Sequence, residues 1–408
     1  MKILLVNKFF FLKGGSEKCF FDTAELLQAN GHSVIFFSMS HPDNRKSRYA
    51  EHFVSGVDFE EAGSIKNKLR VSARILYSRE AHKKMTQLIR EETPDLVHLH
   101  NIHHQISPSI LTAIKAFHLP VVQTLHDYKV VCPVYTLLSR GKICERCRDK
   151  KYYHCTLRRC SKDSRAKSFL NSLEMYLHHS VLRIFRHVDA FISPSRFLKA
   201  KISDMGFRGD VFHLPNSVAT DDILPAKGWE EKTVIYFGRL SNEKGIKTLV
   251  RAVKGLPVKC KIFGDGPEKR NLELTLRREG IDNVSLCGHV SQSRMKQEIQ
   301  KTMFVILPSE WYENNPLAVI EAFAFGKPVI GSRIGGIPEL ITDDETGLTF
   351  EPGNAEDLRK KISSLLEDSE KIVRMGVNAR RFVEQHCNPE THYRELMNIY
   401  RYAIDKKE

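Results

Sequence analysis

The feature that most constrains this 408-residue chain is an alternation of short, wholly apolar runs with stretches of helical pattern, sustained from end to end. In the first half the runs are KILLVN, SVIFFS, DLVHLH, PVVQTL, AFISPS and DVFHLP. A second series follows as TVIYFG, VKCKIFG, NVSLCG, FVILPS and PVIGS. Runs that are apolar throughout, rather than at every second residue, suit parallel strands covered on both faces. Helices between such strands give a doubly wound α/β architecture. The series restarts near Lys232, after the segment LPAKGWEEK, which reads as a linker. The last pattern, PETHYRELMNIYRYAI, is a helix opening on a proline. The expectation is two Rossmann-like domains, 1–220 and 221–388, facing a central cleft, with a closing helix over 389–408. Ligands then belong at the carboxyl ends of both sheets.

Hydrophobic residues make up 41% of the chain, ample for two cores. The N-terminus MKILLVNKFFFLKGG is interrupted by Lys8 and Lys13 and lacks a small-residue cleavage site. It therefore reads as a first strand rather than a signal peptide. A cytoplasmic protein is expected. The net charge of +14 is concentrated between Arg140 and Arg186, where thirteen Lys/Arg stand against four Asp/Glu. Such a region suits phosphate-bearing ligands or anionic lipid. No nucleic-acid motif accompanies it, so nucleic acid is not expected as a partner.

The sharpest chemical signal runs from Pro308 to Ile341, PSEWYENNPLAVIEAFAFGKPVIGSRIGGIPELI. Glu313 falls in the loop after a strand. Asn314, Asn315, Pro316 and Leu317 lead into a helix that carries Glu321, and Gly335-Gly336 follow. Backbone N–H groups at a helix start attract anions and hydroxyl oxygens. Two carboxylates there can each accept a pair of hydroxyls, as a sugar and a ribose offer. The second signal is YFGRLSNEKGIKTLVRAV, in which Gly238 and Arg239 follow a strand and Lys244 precedes a helix. A departing diphosphate needs fixed positive charge, which Arg supplies as a fork and Lys as a point charge. No Asp-x-Asp triplet occurs anywhere in the sequence, so these two cations are expected to replace a metal.

Gly14-Gly15 turn the chain after the first strand, with Ser16 as the expected N-cap of the next helix. The run KGGSEKC lacks the G-x-G-x-x-G of a dinucleotide-binding oxidoreductase. Histidines gather at strand ends: His98, His100, His103, His104 and, in TLHDY, His126. His126 is the best placed for substrate. The glycine-rich ends FGDGP (Gly264, Gly266) and LCGHV (His289, Val290) suit a nucleotide base lying against backbone.

With GRLSNEKG, E-NNPLAVI-E and GKPVIGSRIGGIPELI in place, the sequence resembles the retaining glycosyltransferases of family 4, which have the GT-B fold. That resemblance implies transfer of a sugar from a nucleotide diphosphate donor with retention at the anomeric carbon. It assigns Arg239 and Lys244 to the diphosphate, Glu313 to the transferred sugar, Glu321 to the ribose and His126 to the sugar or reaction centre. Gly15 would approach the diphosphate, and the last helix would cross back onto the first domain. Where many relatives carry a Gly-rich stretch, this chain has Asn314-Asn315-Pro316. The HDYKVVCP and CERC elements resemble a branch that builds cell-surface polysaccharides, which implies a saccharide or lipid-linked acceptor. The alternative is a GT-B protein that binds nucleotide-sugar without turning it over.

Two expectations concern the basic insertion, about 132–186. Cys144, Cys147, Cys155 and Cys160 supply four thiols for a structural zinc, with Cys132 able to stand in for one. Free thiols and disulfides remain the alternatives. No cofactor is expected for catalysis itself. SFLNSLEMYLHHSVLRIF, from Ser168 to Phe185, has apolar residues at helical spacing, which suits either packing into the first domain or peripheral contact with an anionic inner membrane face.

Overall fold

A computed structural model describes residues 1–56, 65–221, 223–226 and 228–407, with backbone alone over 65–70. Lys227, within the expected linker, lies outside the described residues. The chain divides into two compact units. The first comprises residues 1–140, 144–214 and the chain from Tyr393 on. The second comprises 141–143 and 215–392.

Each unit is built on a six-stranded parallel sheet, and all eleven expected runs form strands in them. The first sheet holds β1 (Lys2–Val6), β2 (Ser33–Phe37), β3 (Leu96–Leu99), β4 (Val121–Thr124), β5 (Ala190–Ser193) and β6 (Val211–His213), in the order β2-β1-β3-β4-β5-β6. Its register runs Ile3 beside Val34 on one side and Leu96 on the other. β1, β3, β4 and β5 are buried almost throughout, which explains why their sequences show no alternation.

The second sheet holds β7 (Thr233–Phe237), β8 (Lys259–Phe263), β9 (Val284–Gly288), β10 (Phe304–Leu307), β11 (Val329–Ser332) and β12 (Gly347–Phe350), in the order β9-β8-β7-β10-β11-β12. β12 is the strand of this sheet that the sequence reading missed. Its four residues, GLTF, follow a turn and pair with β11 at the sheet edge. The second order is that of a dinucleotide-binding Rossmann sheet, and both orders reverse direction beside their first strand. Loops leaving the carboxyl ends of the strands that flank this switch point diverge and leave room for a ligand. In the second unit those are the loops after β7 and β10. In the first they are the loops after β1 and β3.

The closing helix, Pro389–Asp405, docks on the first unit from Tyr393 onward. There Tyr393 bonds His32, Tyr400 bonds the buried His98, and Tyr402 donates to Asp210.

Candidate active site

In the second unit the switch-point loops carry the strongest sequence signals. The loop after β7 is pulled down by Tyr236, a buried strand residue whose hydroxyl donates to the Arg239 carbonyl at 2.9 Å. Gly238 stands directly over that hydroxyl: a Cβ there would come within 2.9 Å of it. Arg239 is left exposed and makes no ion pair among the described residues. Five residues on, Gly245 has φ +67, and a Cβ would sit 1.8 Å from the Pro308 carbonyl oxygen. Only glycine permits so close an approach. It places Lys244 against the loop after β10. Two further bonds join the loops, Glu310 N–H to the Glu243 carbonyl at 2.8 Å and the Thr248 hydroxyl to Glu310 at 2.6 Å.

Lys244 Nζ then donates to Glu313 Oε1 at 2.6 Å, and the Ser309 hydroxyl donates to the same oxygen at 2.6 Å. Glu313 is buried. Burial alone would raise its pKa, but the charge and hydrogen bond of Lys244, with the Ser309 bond, hold it below the ordinary value. Behind it lies the Gly335-Gly336 turn. Gly336 N–H bonds the Glu313 carbonyl at 2.8 Å, and a Cβ on Gly335 would strike the Glu313 backbone at 2.4 Å. Glu321 is half-buried in the second turn of the helix Leu317–Ala324, which starts directly after Pro316.

Asn315 is buried and already engaged. Its side-chain oxygen accepts from Asn216 N–H, and its carbonyl accepts from the Asn216 amide. Asn314, Pro316 and Leu317 are half-buried beside it. Gly264 and Gly266 have a structural reason to be glycine that the sequence did not disclose. A Cβ on Gly264 would meet the Gly238 carbonyl at 1.9 Å, and one on Gly266 the Leu240 carbonyl at 2.4 Å. The space beside each is filled by the neighbouring protein loop. His289 is exposed, close enough to influence Asp265, and Val290 packs against the core.

The first unit gathers a second constellation. Gly14 is the extended N-cap of the helix Gly15–Ala29, so Ser16 does not cap it but lies in the first turn and donates to Glu17 at 3.0 Å. Gly14 and Gly15 are exposed at that helix start. His126 and His100 stack with ring centroids 5.1 Å apart and share a hydrogen bond of 2.8 Å. Burial, with a smaller contribution from the nearby Lys8 charge, lowers the His126 pKa to about 4, so the ring is neutral at physiological pH. His98 serves the fold, bonded to Tyr400 and Thr124. His103 and His104 are held neutral by burial as well.

Three charged residues here were not read from the sequence as site residues: Lys8 and Glu17 after β1, and Lys129 in HDYK. Lys129 forms a buried ion pair with Glu174 at 2.7 Å and also donates to the Pro133 carbonyl. The only hint was the lysine following HDY; its partner lies 45 residues away.

The five cysteines of the insertion are free. Cys132, Cys147 and Cys155 are buried, and Cys144 and Cys160 half-buried. Cys155 and Cys160 share a hydrogen bond that pulls the Cys160 thiol down to about 6 and pushes Cys155 up. Among the described residues no three His, Cys, Asp or Glu are grouped to hold a metal ion.

The family described as Glycosyltransferase Family 4 matches residues 13–222, half of the chain, and that described as Glycosyl transferases group 1 matches 221–382. The chain belongs to glycosyltransferase family 4. Its fold is GT-B. A sucrose-phosphate synthase from Thermosynechococcus elongatus superposes with a TM-score of 0.72 at 19% identity, over 98% of both chains. Anabaena HepE in complex with UDP gives 0.67 at 18% identity, over 98% of this chain and 99% of that one. An uncharacterised 42.6 kDa protein from the cps region of Klebsiella pneumoniae is 27% identical over 83% of this chain and 87% of its own. The α-D-kanosaminyltransferase of Streptomyces kanamyceticus is 28% identical over 41% of this chain, and the match spans 45% of that protein.

Proposed function

We propose that this family 4 protein transfers a sugar from a nucleotide diphosphate donor, with retention and without a metal. The observation that carries the reading is the Lys244–Glu313 pair at 2.6 Å beside the exposed Arg239, at the switch point of the second sheet. Arg239 supplies an uncommitted guanidinium fork for the diphosphate. Lys244 enters pre-oriented by Glu313, and the buried carboxylate is ionised and ready to accept sugar hydroxyls as they shift toward the transition state. The leaving diphosphate, held by both cations, takes the acceptor proton on the face from which it departs. The glycosidic C–O bond to the donor breaks as the bond to the acceptor oxygen forms on that same face. The Anabaena HepE structures in complex with UDP and with UDP-glucose support a nucleotide-sugar donor. The Klebsiella relative from a cps region supports a saccharide or lipid-linked acceptor in surface polysaccharide synthesis.

The test is a thermal-shift screen of UDP, GDP and ADP with their sugar conjugates, followed by a transfer assay with the best donor. A ligand that binds only the folded state raises the melting temperature by mass action. A donor that shifts the melt and is turned over, with retained anomeric configuration in the product, supports the reading. A donor that binds without turnover on any saccharide acceptor favours a nucleotide-sugar-binding protein instead.

A further inference from the structure

The helix over Arg165–Tyr176 and the wide helical turn over Leu177–Val181 that extends it sit inside out. The buried side is polar: Ser168, Asn171, Ser172, Glu174 and His178, with Met175 among them. Four of these five polar groups are bonded inward, Ser168 by accepting from Ser161 N–H at 3.0 Å. Glu174 pairs with Lys129, His178 bonds the Leu76 carbonyl at 2.7 Å, and Ser172 donates to the Tyr152 carbonyl at 2.8 Å. The apolar side is turned to solvent, with Phe169 59% exposed, Leu173 41% and Val181 71%.

These three form one stripe. Phe169 and Leu173 are four residues apart, one helical turn. Eight further residues of α-helix would carry Val181 about 80° round from Leu173. The wide turn, closed by Leu182 N–H on the Leu177 carbonyl at 2.8 Å, uses more residues per turn, which reduces that offset and brings Val181 toward the same side. Leu157, 66% exposed, lies on the short helix Tyr153–Leu157 that packs alongside through Thr156 and Ser172. An apolar stripe left in water on a polar-faced helix marks a contact surface.

The charge around it identifies the partner. Between Leu157 and Arg186 the exposed charges are Arg159, Lys162, Arg165, Lys167, Arg183 and Arg186 against Asp163. The remaining acid of the segment, Glu174, is buried on Lys129. Apolar side chains flanked by six exposed cations complement an anionic bilayer, whose headgroups attract the cations while the acyl boundary takes up the side chains.

We propose that Phe169, Leu173 and Val181, with their flanking cations, dock the first unit on an anionic lipid surface. The surface is independent of the transfer chemistry. Because Glu174 of the same helix grips Lys129, three residues from His126, docking fixes the histidine constellation close to the membrane.

The experiment is flotation of the full chain with phosphatidylcholine vesicles, with and without about a quarter phosphatidylglycerol, at low and high salt. The wild type is expected to float with the anionic vesicles and not with phosphatidylcholine alone, and to release as salt screens the cations. The double variant Phe169→Ser, Leu173→Ser is expected to lose on the order of tenfold or more in vesicle affinity. Its melting temperature should be unchanged, because both side chains are exposed. Failure of the wild type to float overturns the proposal. So does undiminished floating of the double variant, which reduces the contact to charge alone. So does a wild type that is dimeric, non-floating and made monomeric by the same substitutions, which assigns the stripe to a second copy. None of these readouts uses the donor or turnover.

Discussion

Lys244 and Glu313 differ from Arg239 in what their loss should do. All three stand in loops at strand ends, and the sequence alone suggests that replacing any of them leaves the fold untouched. The structure separates them. Arg239 is exposed, so Arg239→Ala should keep the melting temperature and cut transfer on the order of 10²–10³-fold. Lys244→Ala strands a buried carboxylate. A fully buried pair broken on one side costs about 3–5 kcal/mol. The Lys244 side chain retains 20% of its exposure, so the loss should fall below that range but remain visible in a melt. Glu313→Gln leaves the unpaired charge on the more exposed partner and should lower turnover more than stability. Melting curves and transfer rates for the three variants check this order. An Arg239→Ala protein that unfolds, or a Lys244→Ala protein that melts like the wild type, contradicts it. The residue types were legible because their chemistry lies in contiguous motifs. The pairing was not, since Lys244 and Glu313 are 69 residues apart and only the sheet order brings their loops together.

Among elements, the runs of apolar residues gave strand positions because burial on both faces removes alternation. β12 escaped because four residues at an edge carry too little pattern. The helix Arg165–Tyr176 shows a different limit. Its periodicity was visible, but which face would be buried was decided by distant partners, Lys129 and the Leu76 carbonyl. Glycines were legible as turns and not as contacts. Gly245→Ala would force a non-glycine into φ +67 and drive a methyl into the Pro308 carbonyl. It should destabilise the second unit and weaken nucleotide binding together, whereas Gly255→Ala, at a similar φ but with open space around it, should cost only about 1 kcal/mol and leave binding intact. Equal effects of the two substitutions, measured by melting and nucleotide titration, would count against the close-approach account. Zinc at the insertion rests on cysteine spacing alone. Near-stoichiometric metal in protein purified without chelators or a His tag supports that proposal, and its absence removes it.

At the scale of the whole molecule, the fold class was legible but the strand orders were not, since apolar runs give the number of strands and not their neighbours. The two units should also respond differently to acid. His104 and His126, both in the first unit, have folded pKa values lowered to about 4 from 6.5. The unfolded chain therefore binds protons that the folded chain refuses, and stability present above about pH 6.5 is lost as pH falls toward 4. Each such histidine contributes on the order of 3 kcal/mol across that interval. Hydrogen exchange at pH 7 and pH 5 should show the first unit losing protection ahead of the second; equal loss in both would speak against the buried neutral histidines as the cause. The central claim is that Arg239 and Lys244 at the switch point hold the donor diphosphate without a metal. The most direct test is calorimetric titration of UDP, GDP and ADP into the wild type and the Arg239→Ala variant, in EDTA. The account predicts that at least one nucleotide binds the wild type in EDTA and binds Arg239→Ala on the order of tenfold or more weakly. Binding that requires added divalent cation, or that is unchanged by Arg239→Ala, would contradict it.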